Sequence, residues 1–403
     1  MKLNEGIKLL PGSAATVKNR VEEFRGKYPS ETLIHLDRPW MARPLPDAVR
    51  ERMESALRDV VTPFGTHLDS PVFGYRSVRA ALAERLRRLG VEAAESEIFL
   101  FPGAESAHSA FSRLFDREND VLLPDPGEPY LTTLHRGAGR NLRFLRAMPE
   151  NDFLPLPEER ADLICLSSPN LVTGAAYSAD ALKALVDRVN EWGSVLIFDA
   201  SFTAFCPNAP RSIYEIPGAR NCAVEIFSFD RAFGAPELKA ASLMIPQSLV
   251  RQEERLNALF CASAVVSSPP SFISQAAGAC FLSEEALAGR EAAREEVLAV
   301  SRILSEGLTR AAIPHVGEGT SPCVWAQCPG DMSAWQFFDL LLEEANLVVT
   351  PGSLYGYSGE RFVRLSAYLA PEEAREAVAH LERALKKFRA APAEPDNADI
   401  LEP

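Results

Sequence analysis

Five ionisable side chains, Glu105, Glu128, Asp199, Arg231 and Lys239, fall close to the ends of short apolar runs, and a sixth, Arg364, falls inside the run FVRLSAY. Their types define what such a group could do. A guanidinium stays protonated and holds a carboxylate with a two-pronged fork, whereas a carboxylate can accept an ammonium or take up a proton. The mixture suits a zwitterionic amino acid derivative or a polycarboxylate, a small molecule bearing carboxylate and amine groups. Glu128 is the candidate general base, and Ser228, Asn170 and Phe202 are further candidate contacts on neighbouring runs. A plainer role is open to each kind of residue: a strand-end aspartate can cap a turn, and an edge-strand arginine can pair with a surface acid.

The elements that must position these residues show in the apolar pattern. Between residues 97 and 242 the runs IFLF, DVLLP, LRFL, ADLICLSS, SVLIFDA, CAVEIFSF and ASLMIP alternate with helix-like segments. Buried strands separated by helices predict a mostly parallel sheet wrapped by helices, which binds ligands beyond the carboxyl ends of its strands. Ser178 opens one such helix as a cap and Gly193 closes it. Helices at 247–260 and 283–311 lead to a second unit. Its strands VWAQ, LVVT and FVRLSAY, with helices near 334–344 and 371–388, predict a smaller α+β domain. The expected division is an N-terminal arm with part of the small domain at 1–45, a large domain at 46–285, the small domain at 286–389 and a disordered acidic tail at 390–403.

Composition narrows the function. The chain has 403 residues, 47% hydrophobic and 24% charged, as expected of a globular protein too long for one core. Its formal charge of -13 argues against nucleic acid or an anionic membrane as partner. The start MKLNEGIKLLPGS has no apolar signal core, so a cytoplasmic location is expected. Seven scattered cysteines without C-x-x-C spacing indicate neither a disulfide framework nor zinc, and the six histidines lack metal-site spacing. His67 and Asp69 share a loop and could shuttle a proton, although a solvated loop pair is the plainer reading.

Taken in order, the strand-end residues resemble the class I/II, fold-type I aminotransferases, and most closely the LL-diaminopimelate aminotransferase group. The stretches NEGIKLLPGS with RPLPDAV, RSIYEIPGARNCAVEIFSFD and TPGSLYGYSGERFVRLSAY carry that likeness, which covers nearly the whole chain before the tail. The resemblance implies an α/β fold, a homodimer with shared active sites, and pyridoxal phosphate bound to a lysine. It also implies that Asp199 pairs with the pyridinium nitrogen, that Arg364 grips the substrate α-carboxylate, and that Ser228 contacts phosphate.

Against the same pattern several positions depart. Arg231 stands at the Schiff-base lysine, Leu171 at the phenolate-binding asparagine, Phe202 at a second phenolate donor, and Glu128 at the ring-stacking aromatic. Glu105 enters the phosphate loop, Lys239 replaces the phosphate-binding arginine, Asp69 falls where the partner's tyrosine would, and Pro39 falls near a glycine amide. An arginine cannot condense with an aldehyde. These departures lead to the expectation of a cofactor-independent enzyme or binding protein that has lost covalent pyridoxal phosphate chemistry and uses no cofactor. Two alternatives stand beside it. One is an ordinary pyridoxal phosphate aminotransferase of the LL-diaminopimelate type, if the lysine motif is placed differently or Lys239 is used. The other is a non-catalytic partner of an active homologue.

Overall fold

The computed structural model describes residues 14–38, 45–62, 71–235, 238–263 and 268–390. His67, Asp69, Pro39 and the tail from 391 onward lie outside the described residues.

All seven expected runs form one sheet. Its spatial order is Ile98–Phe101, Ala241–Met244, Ala223–Ser228, Val195–Asp199, Leu163–Ser167, Asp120–Asp125 and Asn141–Arg146. Every pairing is parallel except the two made by Ala241–Met244. The sequence reads as near-continuous apolar runs because helices cover both faces, so alternate residues have no watery side to point to. Ile164, Leu166, Leu196 and Phe198 enter one core, while Leu163, Cys165, Val195 and Ile197 enter the other. Register sets Ser167 beside Asp199 and Asp199 beside Ile226, so the strand ends line up along one edge.

The helix over Ala179–Trp192 starts where expected, with the Ser178 hydroxyl accepting from Ala181 N at 3.2 Å. Gly193 closes it at φ 65°, a conformation that costs glycine little.

The smaller sheet is antiparallel, in the order His315–Val316, Cys323–Gln327, Phe362–Ser366 and Thr350–Pro351. Helices Leu287–Arg310, Ala334–Ala345 and Pro371–Ala390 bury their apolar stripes against it. Val17, Val21 and Phe24 from helix Ala14–Lys27 join the same core, and Ile34–His35 pairs in parallel with Leu347–Val348.

One junction between the two units lies at Asp125, at the end of its strand. Its carboxylate accepts from Ser358 N at 3.1 Å and from the Ser358 hydroxyl at 2.9 Å. Gly127 N donates to Tyr355 O at 2.8 Å.

One expected element is wrong. The continuous helix at 247–260 is instead a short hairpin, Val250–Arg251 against Glu254–Arg255, followed by helix Leu256–Ser263. Gln252 and Glu253 take φ of 50° and 65°, which reverses the chain. Neither residue type signals a turn, so the helical pattern was extended through them.

Candidate active site

Four of the predicted charged residues converge. Arg231 lies in the short helix Phe229–Phe233, entered by Ser228, whose hydroxyl accepts from Arg231 N at 3.4 Å. From there the guanidinium reaches Asp199 at 3.3 Å, Glu105 at 2.8 Å and Glu128 at 3.7 Å, with its centre 5.9 Å from the Tyr130 ring. Tyr130 and Glu128 both line the pocket. The Arg231 side chain is 18% exposed. Burial works against its charge, but Glu128, Asp199, Tyr130 and Glu105 outweigh it and hold the guanidinium above its ordinary value. Burial raises the Asp199 carboxyl, and the Arg231 charge opposes the rise. The second Asp199 oxygen accepts from Ser201 N at 2.8 Å.

Arg364 stands apart from this cluster. It occupies the centre of the small sheet, between Trp325 and Thr350, and is 6% exposed. Its Nε is buried without a hydrogen-bond partner among the described residues. The Tyr355 ring lies 6.0 Å from the guanidinium. Burial opposes the charge, while Cys323, Tyr355 and Glu128 hold its pKa above the ordinary value.

The remaining candidates divide. Lys239 is exposed, at φ 41°, and its charge is felt by Asp230. Asn170 spends its side-chain oxygen on its own turn, accepting from Val172 N and Thr173 N at 2.9 Å each. Phe202 and Leu171 lie in the apolar core that carries the small sheet. The sequence weighed these two as missing hydrogen-bond donors, whereas the structure uses them as packing.

Sequence reasoning missed a buried trio beneath the pocket. His108 Nε2 and His135 Nε2 are 3.2 Å apart, and Cys165 Sγ is 3.6 and 3.9 Å from them. The three come from separate elements, so no local spacing announced them. The group has the spacing of a metal site. Arg140 decides against that use, because its Nη1 faces His135 Nδ1 at 2.8 Å. The accepting nitrogen must then be Nδ1, which leaves the proton on Nε2. Burial, then neighbouring positive charge, lowers His108 to about 3 and His135 to about 4, and burial pushes Cys165 up to about 12. A histidine whose folded value lies below its unfolded value favours folding when neutral, and that contribution falls away as pH drops below the unfolded value near ~6.5. Thermal melts from pH 7.5 down to about 4.5 should show a steady loss of stability. A His108→Leu variant should show a shallower slope; an identical slope would remove this histidine as the cause.

A cofactor ring held by Asp199 needs space that this conformation does not supply. Arg231 already takes the Asp199 carboxylate, and the cavity beside Asp199, Glu128 and Tyr130 holds about 20 Å³. That admits a water molecule and is far short of a small-molecule site. The side chains as they stand therefore do not fit pyridoxal phosphate, and no chemical step follows through it.

Comparison with known proteins identifies the scaffold. The profile of aminotransferase class I and II matches residues 42–381. The LL-diaminopimelate aminotransferase of Lachnospira eligens is 31% identical over 389 residues, covering 91% of this chain and 96% of that protein. The enzyme of the same name from Methanosphaera stadtmanae is 30% identical, covering 94% and 98%. Among solved structures, LL-diaminopimelate aminotransferase from Chlamydomonas reinhardtii superposes with a TM-score of 0.90 at 28% identity, covering 96% and 99%.

These relatives correct three expectations. A protein that has lost pyridoxal phosphate chemistry, a cofactor-independent activity and the absence of a cofactor all give way to the aminotransferase alternative. The expected loss rests on individual contact positions, and two of these, Leu171 and Phe202, serve packing. The likeness extends over nearly the full chain.

Proposed function

The chain belongs to the class I and II aminotransferases, and from that premise we propose that it is an aminotransferase of the LL-diaminopimelate type, using pyridoxal phosphate. The relatives' names and the near-full-length likeness support the reading. The observation that carries it is Arg364, a buried cation with an unpartnered Nε among the described residues. Such a group matches a substrate carboxylate, which would satisfy both its charge and its donors. When bound, the cofactor supplies an electron sink for bonds at the substrate α-carbon. For this chain the reading requires Arg231 to withdraw from Asp199, since one carboxylate edge cannot serve a guanidinium and a pyridinium together. Glu105 and Glu128, freed by the same movement, suit a substrate ammonium. A homodimer with shared sites and a cytoplasmic location complete the proposal.

The test supplies the purified protein with pyridoxal phosphate, LL-diaminopimelate and 2-oxoglutarate, and measures glutamate. A parallel borohydride reduction reads which lysine carries a pyridoxyl label. Glutamate formation with the label on Lys239 is expected. No glutamate and no label at any lysine would overturn the reading.

A further inference from the structure

A second cavity, of about 630 Å³, lies behind the helix that carries Arg231. Phe205, Phe227, Phe233 and Phe281 supply much of its apolar wall, and Tyr368, whose hydroxyl donates to Arg231 O at 3.3 Å, also reaches it. Its volume is that of a small-molecule site.

The charges on its wall are unbalanced. Arg88 bonds Glu284 and lies 3.5 Å from Glu84, and Arg294 is 2.7 Å from Glu291, so the three acids lining the cavity are already paired. Arg85, Arg211 and Arg290 have no carboxylate within ion-pair distance among the described residues, although all three line the space. Arg85 lies with its guanidinium 4.3 Å from the Phe227 ring. Burial lowers its pKa; Glu225 works against the fall, and Arg211 and Arg290 add to it. Arg290 donates to Phe281 O, a neutral carbonyl. Glu225 and Glu215 offset the Arg85 charge, and Glu291 and Glu284 that of Arg290, only from beyond ion-pair distance, so none of the three guanidiniums has a direct anionic partner among the described residues.

We propose that this cavity is a binding site for an aromatic anion, whose charged group is held by Arg85, Arg211 and Arg290 and whose ring packs against the phenylalanine wall. The anion supplies the direct partner that these cavity-lining guanidiniums lack, and the ring fills apolar space that water would occupy poorly. This site is separate from the pocket at Asp199 and does not depend on the aminotransferase reading.

The probe is 8-anilinonaphthalene-1-sulfonate, followed by fluorescence. One saturable site per chain is expected, displaced by naphthalene-1-sulfonate and not by uncharged 1-naphthalenemethanol. Arg85→Met and Arg211→Met should each weaken binding at least ~10-fold, while Arg364→Met leaves it unchanged. Unchanged binding in both cavity variants, weakening by Arg364→Met, or a signal that never saturates would overturn the proposal.

Discussion

Replacing Arg364 with methionine is expected to raise the KM for an amino acid substrate by about 100-fold, roughly 2.7 kcal/mol of lost binding. The size follows from position. The guanidinium is nearly sealed from solvent within the sheet register that sets it between Trp325 and Thr350, so water cannot replace its bond to a carboxylate. Arg364→Lys keeps the charge but loses the planar fork and should recover only part of the loss. Steady-state kinetics separate the outcomes. A fall in kcat with an unchanged KM would assign Arg364 to the chemical step instead, and unchanged kinetics would remove it from the site.

Arg231→Met is expected to destabilise the protein by about 3 to 5 kcal/mol near pH 8, the usual consequence of removing one partner from a buried ionic group. Asp199 is left without its cation, beside Glu128 and Glu105. Burial already raises the Asp199 carboxyl, and Arg231 is the charge opposing that rise. Without it the folded value climbs further above the unfolded one. An acid shifted that way weakens folding while ionised and stops doing so once protonated, so the deficit should shrink as pH falls toward about 5. Melting curves at the two pH values check this. An equal deficit at both would assign the loss to packing rather than charge.

The fold was legible because its signals are local and redundant. Seven apolar runs with helical spacers define the large sheet, and Ser178 and Gly193 mark one helix to the residue. Where two adjacent residues reverse the chain without glycine or asparagine, as Gln252 and Glu253 do, the periodicity gave no warning. The site was legible only in part. Asp199, Glu105, Glu128 and Arg231 could be gathered by their places at strand ends, yet their shared ion pairing depends on side-chain reach across 126 positions of sequence. Leu171 and Phe202 show the converse limit, because a substitution read against a motif as a lost function can be a gain in core packing. The histidine and cysteine trio and the arginine-lined cavity each join distant elements, and nothing short of the three-dimensional arrangement brings them together.

The bonds from Asp125 to Ser358, close to the contact of Gly127 with Tyr355, act as a latch between the two sheets. It is not the sole tie, because the Thr320 hydroxyl donates to Gly174 O at 2.8 Å and Tyr368 donates to Arg231 O at 3.3 Å, so the two units are pinned at several points. Glu128 follows directly on one side of the latch, and the Tyr355 ring beside Arg364 lies on the other. The junction thus keeps Glu128 within electrostatic reach of Arg364, and the Glu128 carboxylate is one of the charges that hold that guanidinium protonated.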